Sequence, residues 1–313
     1  IRSTHVFSQI RAIRGQKHLG AVPGCGFRGG DASKGTPNDN NVHVVGQRQR
    51  PGGRLVKPGS FAPFLVFPLL AEELGVDVPK TRCFNSVREI SIEEIDALVF
   101  PCYLKAAISV AGVGIYRCED RKAFLQAASC FDEDVPVQIQ EEIRTGTFLN
   151  LQYQVVGNRL VRLAASEQIL DGFAHQGNRV PASHAPWDCV DPLAHWLLER
   201  GIKGIFAFDL AVIETKQGMR FPAIECNPRF NGASYPTLVA NKLGIPEWAA
   251  LTMGTFHRRL STIDLSGIEY DPQSGEGVIL VNWGTVLAGK LVVLFAGSLE
   301  ARERLFIELA SRL

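Results

Sequence analysis

Hydrophobic and polar positions follow recognisable periods from about residue 61 onward, and almost none before it. Residues 64–74 repeat apolar side chains at helical spacing and stop at Gly75, with Pro79 beyond as a breaker. Residues 91–98 predict a short helix opened by a capping box, Ser91 with Glu94 three positions on. A strand over 98–106 follows, then a glycine-bearing turn over 109–114, a strand over 115–118, a helix over 121–129 and a strand over 135–143. Residues 148–156 and 160–165 flank Gly157-Asn158 as a hairpin. The polar stretch 166–179 predicts a loop, and 189–200 an amphipathic helix ending at Gly201. An apolar run over 205–213, a break at Lys216-Gln217-Gly218 and a return over 220–225 form a second hairpin. Residues 237–243 and 245–258 predict helices. Residues 278–297 are apolar enough to suggest a membrane span, but Asn282, Lys290 and Gly289 interrupt them, so two buried strands fit better. A helix over 299–313 closes the chain. The class is α+β.

Composition and charge add to this picture. Gly, Arg, Asn, Gln and Pro dominate residues 15–59, so residues 1–60 predict a poorly ordered arm or remnant. Gly24-Cys25-Gly26 has no strand before it and no helical pattern after it, which removes a phosphate loop. The 33 basic and 32 acidic residues nearly cancel, which points away from a nucleic-acid partner. Seven cysteines without a CxxC pair argue against a disulfide framework or zinc site and for a reducing, cytoplasmic setting. The chain opens without Met or a signal-peptide pattern, and the expectation is a fragment.

Candidate chemistry concentrates in the second hairpin. It brings Asp209 towards Glu225 and Asn227, whose spacing of two puts their side chains on one face of an extended chain. Two carboxylates and an amide oxygen are hard donors that suit Mg2+, and Arg229 can reach a phosphate bound to it. A solvated hairpin is the ordinary alternative. Here both acids interrupt apolar runs, where an unpaired carboxylate is costly. Lys105 closes an apolar strand before Gly112 and Gly114, so its ammonium and the turn's N–H groups can meet one phosphate. The alternative is a strand–turn–strand with a snorkelling lysine. Within 166–179, His175 or Arg179 is a candidate cationic contact, against an equally weighted solvated connection. Asn231 to Tyr235 is placed to touch an acceptor. No spacing supports a covalent Ser-His-Asp or Cys-His nucleophile.

In order and separation, Asp209, then Glu225-Cys-Asn227-Pro-Arg229, preceded by the Lys105 glycine turn, resembles the ATP-grasp superfamily. The resemblance covers residues 61–313. It implies an ATP-grasp fold of two α/β lobes with ATP between them. The first lobe spans 61–143, the second spans 144–263 with the metal site, and 264–313 complete the fold. It implies that backbone at Glu141 and Ile143, with Gln140 beside them, meets adenine. Lys105, Gly112, Gly114 and His175 would contact the nucleotide, and Asp209, Glu225 and Asn227 would hold Mg2+ or Mn2+. Lys105 and Arg229 would act on the phosphates.

The implied activity is ATP-dependent ligation of a small-molecule carboxylate to an amine through an acyl phosphate. The overall look is closer to amino-acid or peptide ligases than to biotin-dependent carboxylases. No membrane partner is expected, and a homo-oligomer is compatible. Three departures stand out. Thr147 occupies the place of a ribose-binding Glu. No lysine lies near Phe64, Lys57 being the nearest. Residues 1–60 show no βαβ pattern, so the expectation is that the Rossmann-like domain which usually precedes the fold is truncated or absent. These motivate two rivals: a nucleotide-binding protein without turnover, and an interaction module that binds no ATP.

Overall fold

The computed structural model describes residues 67–107, 114–172 and 174–313, all within one unit, Val42–Leu313. Gly112 and the arm over 1–60 lie outside the described residues.

Helix α1 (Phe67–Glu73) leads into a four-stranded antiparallel sheet. Its strands are β1 (Thr81–Phe84), β2 (Cys102–Ala106), β3 (Ile115–Cys118) and β4 (Val137–Glu141), in the order β1-β4-β2-β3. Helices α2 (Ile92–Asp96) and α3 (Arg121–Ala128) accompany it. The capping box forms: Ser91 Oγ accepts from the Glu94 amide, and the Glu94 carboxylate accepts from the Ser91 amide. Phe124, Leu104, Val137 and Ile139 pack between α3 and this sheet. The strand expected over 98–106 begins only at Cys102, because Pro101 has no N–H for a ladder.

The larger sheet has eight antiparallel strands in the order β11-β8-β5-β6-β7-β12-β14-β13. These are β5 (Phe148–Val156), β6 (Arg159–Asp171), β7 (Ala174–Val180), β8 (Gly204–Ala211), β11 (Ala223–Asn227), β12 (Trp248–Gly254), β13 (Gly277–Asn282) and β14 (Lys290–Ala296). A two-stranded ribbon, β9 (Ile213–Thr215) and β10 (Gly218–Arg220), occupies the break between β8 and β11. Helices α4 (Asp191–Glu199), α5 (Ser234–Leu243) and α6 (Leu299–Arg312) pack around this sheet.

Strand β5 shows why the sheet has two different faces. Leu149, Leu151 and Tyr153 point to one side and are fully buried. There Tyr153 stacks on Phe206 at 5.4 Å, meets Trp187 edge-on, and donates its hydroxyl to Asp191 on α4 at 2.8 Å. Asn150 and Gln152 point to the other side and are equally buried. One face is a hydrophobic core; the other carries a row of polar groups.

Two expectations fail. Residues 166–179 are a hairpin, not a loop: β6 runs on to Asp171 and β7 returns from Ala174. Their polar residues alternate with the pleat and satisfy one another, as Asn178 Nδ2 does on Ser166 Oγ at 3.0 Å. Residues 245–258 are not helical but contain β12, hydrogen-bonded to both β7 and β14. An interior strand covered on both faces loses the alternation that separates strand from buried helix. Gly177 lets these strands meet, since a Cβ there would stand 1.8 Å from the Ala250 carbonyl oxygen. Among the described residues no helix is long and apolar enough to cross a membrane.

Candidate functional site

A cleft of about 640 Å³ opens between the two sheets, within the size range of small-molecule sites. Of the residues singled out from sequence, Lys105, Gln140, Glu141, Ile143, His175, Asp209, Glu225, Asn227 and Arg229 line it, and so does the start of the 231–235 stretch. Gly114 does not. It closes the β2–β3 turn with φ +74°, its carbonyl accepting from the Ala106 amide at 3.0 Å.

The β8–β11 hairpin places the acids as its spacing predicts. Asp209 and Glu225 are direct cross-strand partners, and Asn150 on β5 is the partner of Asp209 on the other side. Asn150 Nδ2 donates to one Asp209 oxygen at 2.6 Å and Asn227 Nδ2 to the other at 3.0 Å. Desolvation raises the Asp209 carboxyl to about 6, against the lowering effect of these amides and of Arg229. Glu225 opens into the cleft. It is raised to about 7, first by desolvation and then by the Asp209 charge beside it, with Lys105 and Arg229 opposing. Two carboxyl groups therefore share a confined site with too little positive charge.

The Oδ1 atom of Asn150 is buried in the same place without a hydrogen-bond partner. An orphaned oxygen beside two raised carboxyls is a set of hard donors short of a cation. Mg2+ fits it, using one or two carboxylates and leaving room for phosphate oxygens. Among the described residues no group of three or more His, Cys, Asp or Glu side chains is placed to hold a metal ion.

Lys105 extends from β2 into the cleft and donates Nζ to Gln140 Oε1 at 3.0 Å. Gln140 Nε2 in turn donates to Thr81 Oγ1 at 3.0 Å, so three adjacent strands aim the ammonium. Burial lowers the Lys105 pKa, and the Glu225 charge partly restores it. The Glu141 amide is taken by the Lys80 carbonyl at 3.0 Å. Thr147 lies in a turn braced by Thr145 Oγ1, and Thr145 is the one of the two that lines the cleft.

His175 sits on the cleft wall opposite the Asn231–Gly232 turn, with Nε2 2.6 Å from Asn178 Oδ1. Desolvation lowers its pKa, with the Asn178 hydrogen bond opposing, which disfavours the expected cationic role. Arg179 is also withdrawn from that role: it pairs with Glu167, its Nε donating at 2.6 Å. Arg162, on β6, lies away from the cleft and bonds Asp188 and Asp191 beside α4.

Sequence reasoning missed Asn150, Gln168 and Tyr103, which also line the cleft. The signal for Asn150 was present. In Leu149-Asn-Leu-Gln-Tyr-Gln the polar residues fall at strict period two inside a strand too apolar to be exposed. Glu142, just after β4, ties the cleft rim together through Arg117 on β3 and Arg144 on the connection.

No known family model and no curated protein matches this sequence. Solved structures do match its fold. Carboxyaminoimidazole ribonucleotide synthase from Aspergillus clavatus, complexed with ATP, aligns with TM-score 0.54 at 13% identity, over 78% of this chain and 72% of that one. A biotin carboxylase–ATP complex from Campylobacter jejuni aligns with TM-score 0.55 at 13% identity, over 75% and 62%. The biotin carboxylase domain dimer of Hydrogenobacter thermophilus 2-oxoglutarate carboxylase, with MgADP, ADP and bicarbonate, aligns with TM-score 0.53 at 12% identity, over 74% and 60%. The chain thus spans less than two thirds of these two carboxylase chains. Its two antiparallel sheets, its cleft and these alignments agree: the chain has an α+β ATP-grasp fold.

Proposed function

We propose that the chain is an ATP-dependent carboxylate–amine ligase that works through an acyl phosphate, with an amino acid or small peptide as substrate. The observation that carries the reading is the Asp209–Glu225 pair, raised and facing Lys105 and Arg229 across one cleft. Asp209, Glu225 and Asn227 would hold Mg2+, which would offset negative charge on the phosphates. Backbone at Glu141, which ends β4, and at Ile143 just beyond it would receive the adenine edge. Lys105, held by Gln140, and Arg229 would bind and orient the phosphoryl group passed to the carboxylate. Fixed charges aimed before substrate arrives carry this kind of catalysis. That the similar structures hold ATP or ADP supports the nucleotide assignment.

A second reading, nucleotide binding without turnover, has its own observation: α1, with sequence FPLLAEE, carries no lysine. The test is calorimetry of Mg·ATP, followed by a screen of amino acids for ADP release. Binding that requires Mg2+ and is followed by acid-dependent ADP release supports the ligase. Binding without release for any acid–amine pair supports the second reading. No binding by a folded sample removes both.

A further inference from the structure

The acceptor side of the cleft contains a histidine whose two ring nitrogens have unequal commitments. His175 Nε2 lies 2.6 Å from Asn178 Oδ1. Asn178 is 1% exposed, and its Nδ2 is used on Ser166 Oγ at 3.0 Å, Ser166 being fully buried. With the amide held this way, Oδ1 can only accept, so Nε2 carries the proton and Nδ1 is left with a bare lone pair.

The Asn231–Gly232 turn packs against this ring. A Cβ at Gly232 would stand 2.7 Å from Cε1 and 3.0 Å from Nδ1, so only glycine allows the ring this position. Asn231 Oδ1 is consumed by the Ala233 and Ser234 amides at the start of α5, which leaves Nδ2 buried without a partner. A bare acceptor on His175 and an unsatisfied donor on Asn231 thus flank one region of the cleft, and both residues line it.

We propose that His175 Nδ1 is the base that takes a proton from the acceptor ammonium in the ligation described above, an inference that rests on that reading. An ammonium R–NH3⁺ gives one proton to Nδ1 and becomes R–NH2. The amine lone pair forms the C–N bond, and the C–O bond to phosphate breaks with its electron pair leaving on phosphate. The second proton lost from nitrogen goes to that phosphate. His175 returns its proton to solvent. The Nε2–H···Oδ1 bond to Asn178 persists throughout and supports the transient imidazolium. The Asn231 Nδ2 group fits a carbonyl or carboxylate oxygen next to the amine, which makes the acceptor an amino acid or peptide rather than a simple alkylamine.

The test uses the full chain labelled with 15N at histidine, with Mg2+ and a non-hydrolysable ATP analogue, near neutral pH. Long-range proton–nitrogen spectra separate protonated from bare ring nitrogens, and the His175 signals are those lost in His175→Gln. The expected result is the Nε2–H tautomer, with the Nδ1 resonance moving as ammonium chloride or glycine is added. A proton resident on Nδ1, or an Nδ1 signal unmoved by either probe, overturns the proposal. Calorimetry of His175→Gln supplies the second arm. Mg·ATP affinity within about twofold of wild type agrees with a role confined to the acceptor, and a loss above about tenfold places His175 on the nucleotide and overturns it. Failure of the ligase reading itself is separately visible, as absence of Mg·ATP binding by the wild type.

Discussion

Replacing Asp209 with Asn separates the stability of the fold from the function of its cleft. Burial lifts the Asp209 carboxyl from 3.8 to about 6. Each unit is worth about 1.4 kcal/mol, so the ionised group destabilises the metal-free fold by about 3 kcal/mol at full effect. Solvent in the cleft reduces this to about 1–3 kcal/mol. The folded pKa lies above the unfolded one, so between about pH 4 and pH 6 the native state binds more protons than the unfolded state. Stability therefore falls as pH rises through that window, and the full deficit is present above it.

Asp209→Asn removes the charge. The new amide would face the Asn150 and Asn227 donors, but Asn150 Oδ1 is unpartnered, and flipping the Asn150 amide lets it accept from the new Nδ2. The expected result, by urea titration in chelator, is a gain of about 1–3 kcal/mol near pH 8 that shrinks to nothing near pH 4. Mg-dependent nucleotide binding should be lost in the same variant. Two results would refute the reasoning: no gain near pH 8, or an equal gain at both pH values.

Other outcomes follow from the same geometry. Mg·ATP binding at about pH 6.5 should release protons, because a cation lowers the raised carboxyls of Asp209 and Glu225; calorimetry in two buffers of different ionisation enthalpy reads the number, and zero would count against both as ligands. Lys105→Ala should weaken Mg·ATP binding by about 10- to 100-fold, the loss of one charge-assisted contact of about 1.5–3 kcal/mol, while leaving the far-ultraviolet circular dichroism unchanged. Gly177→Ala should destabilise by more than about 4 kcal/mol, because the new Cβ would overlap the Ala250 carbonyl and both backbones are held in the sheet; a denaturation midpoint near wild type would contradict the β7–β12 pairing.

What could be read from sequence divides along a physical line. The β8–β11 hairpin was legible because its signals are local: a turn, two apolar strands, and acids at positions that period two assigns to one face. Lys105 and Gln140 were legible by their order in the chain, but not as donor and acceptor, because the β2–β4 pairing joins residues 35 apart. Strand β12 misled because its apolar run, Trp248-Ala-Ala-Leu-Thr-Met, has no polar face to betray a period.

The 166–179 stretch misled for the opposite reason. Its polarity looks like solvent exposure, yet Ser166, Gln168 and Asn178 belong to a polar layer continuous with Asn150 and Asp209, each strand presenting the same parity to the cleft. A polar residue in that layer is satisfied by a neighbour from another strand, so no single strand shows why it is tolerated. The same cross-strand dependence changes the reading of His175. Alone in sequence it was a possible cation for phosphate. With Asn178 on one nitrogen and Gly232 packed against the ring, burial lowers its pKa, which suits the proposed base rather than a fixed cation. Its chemistry is set by residues three and 57 positions away, and only the folded sheet brings them together.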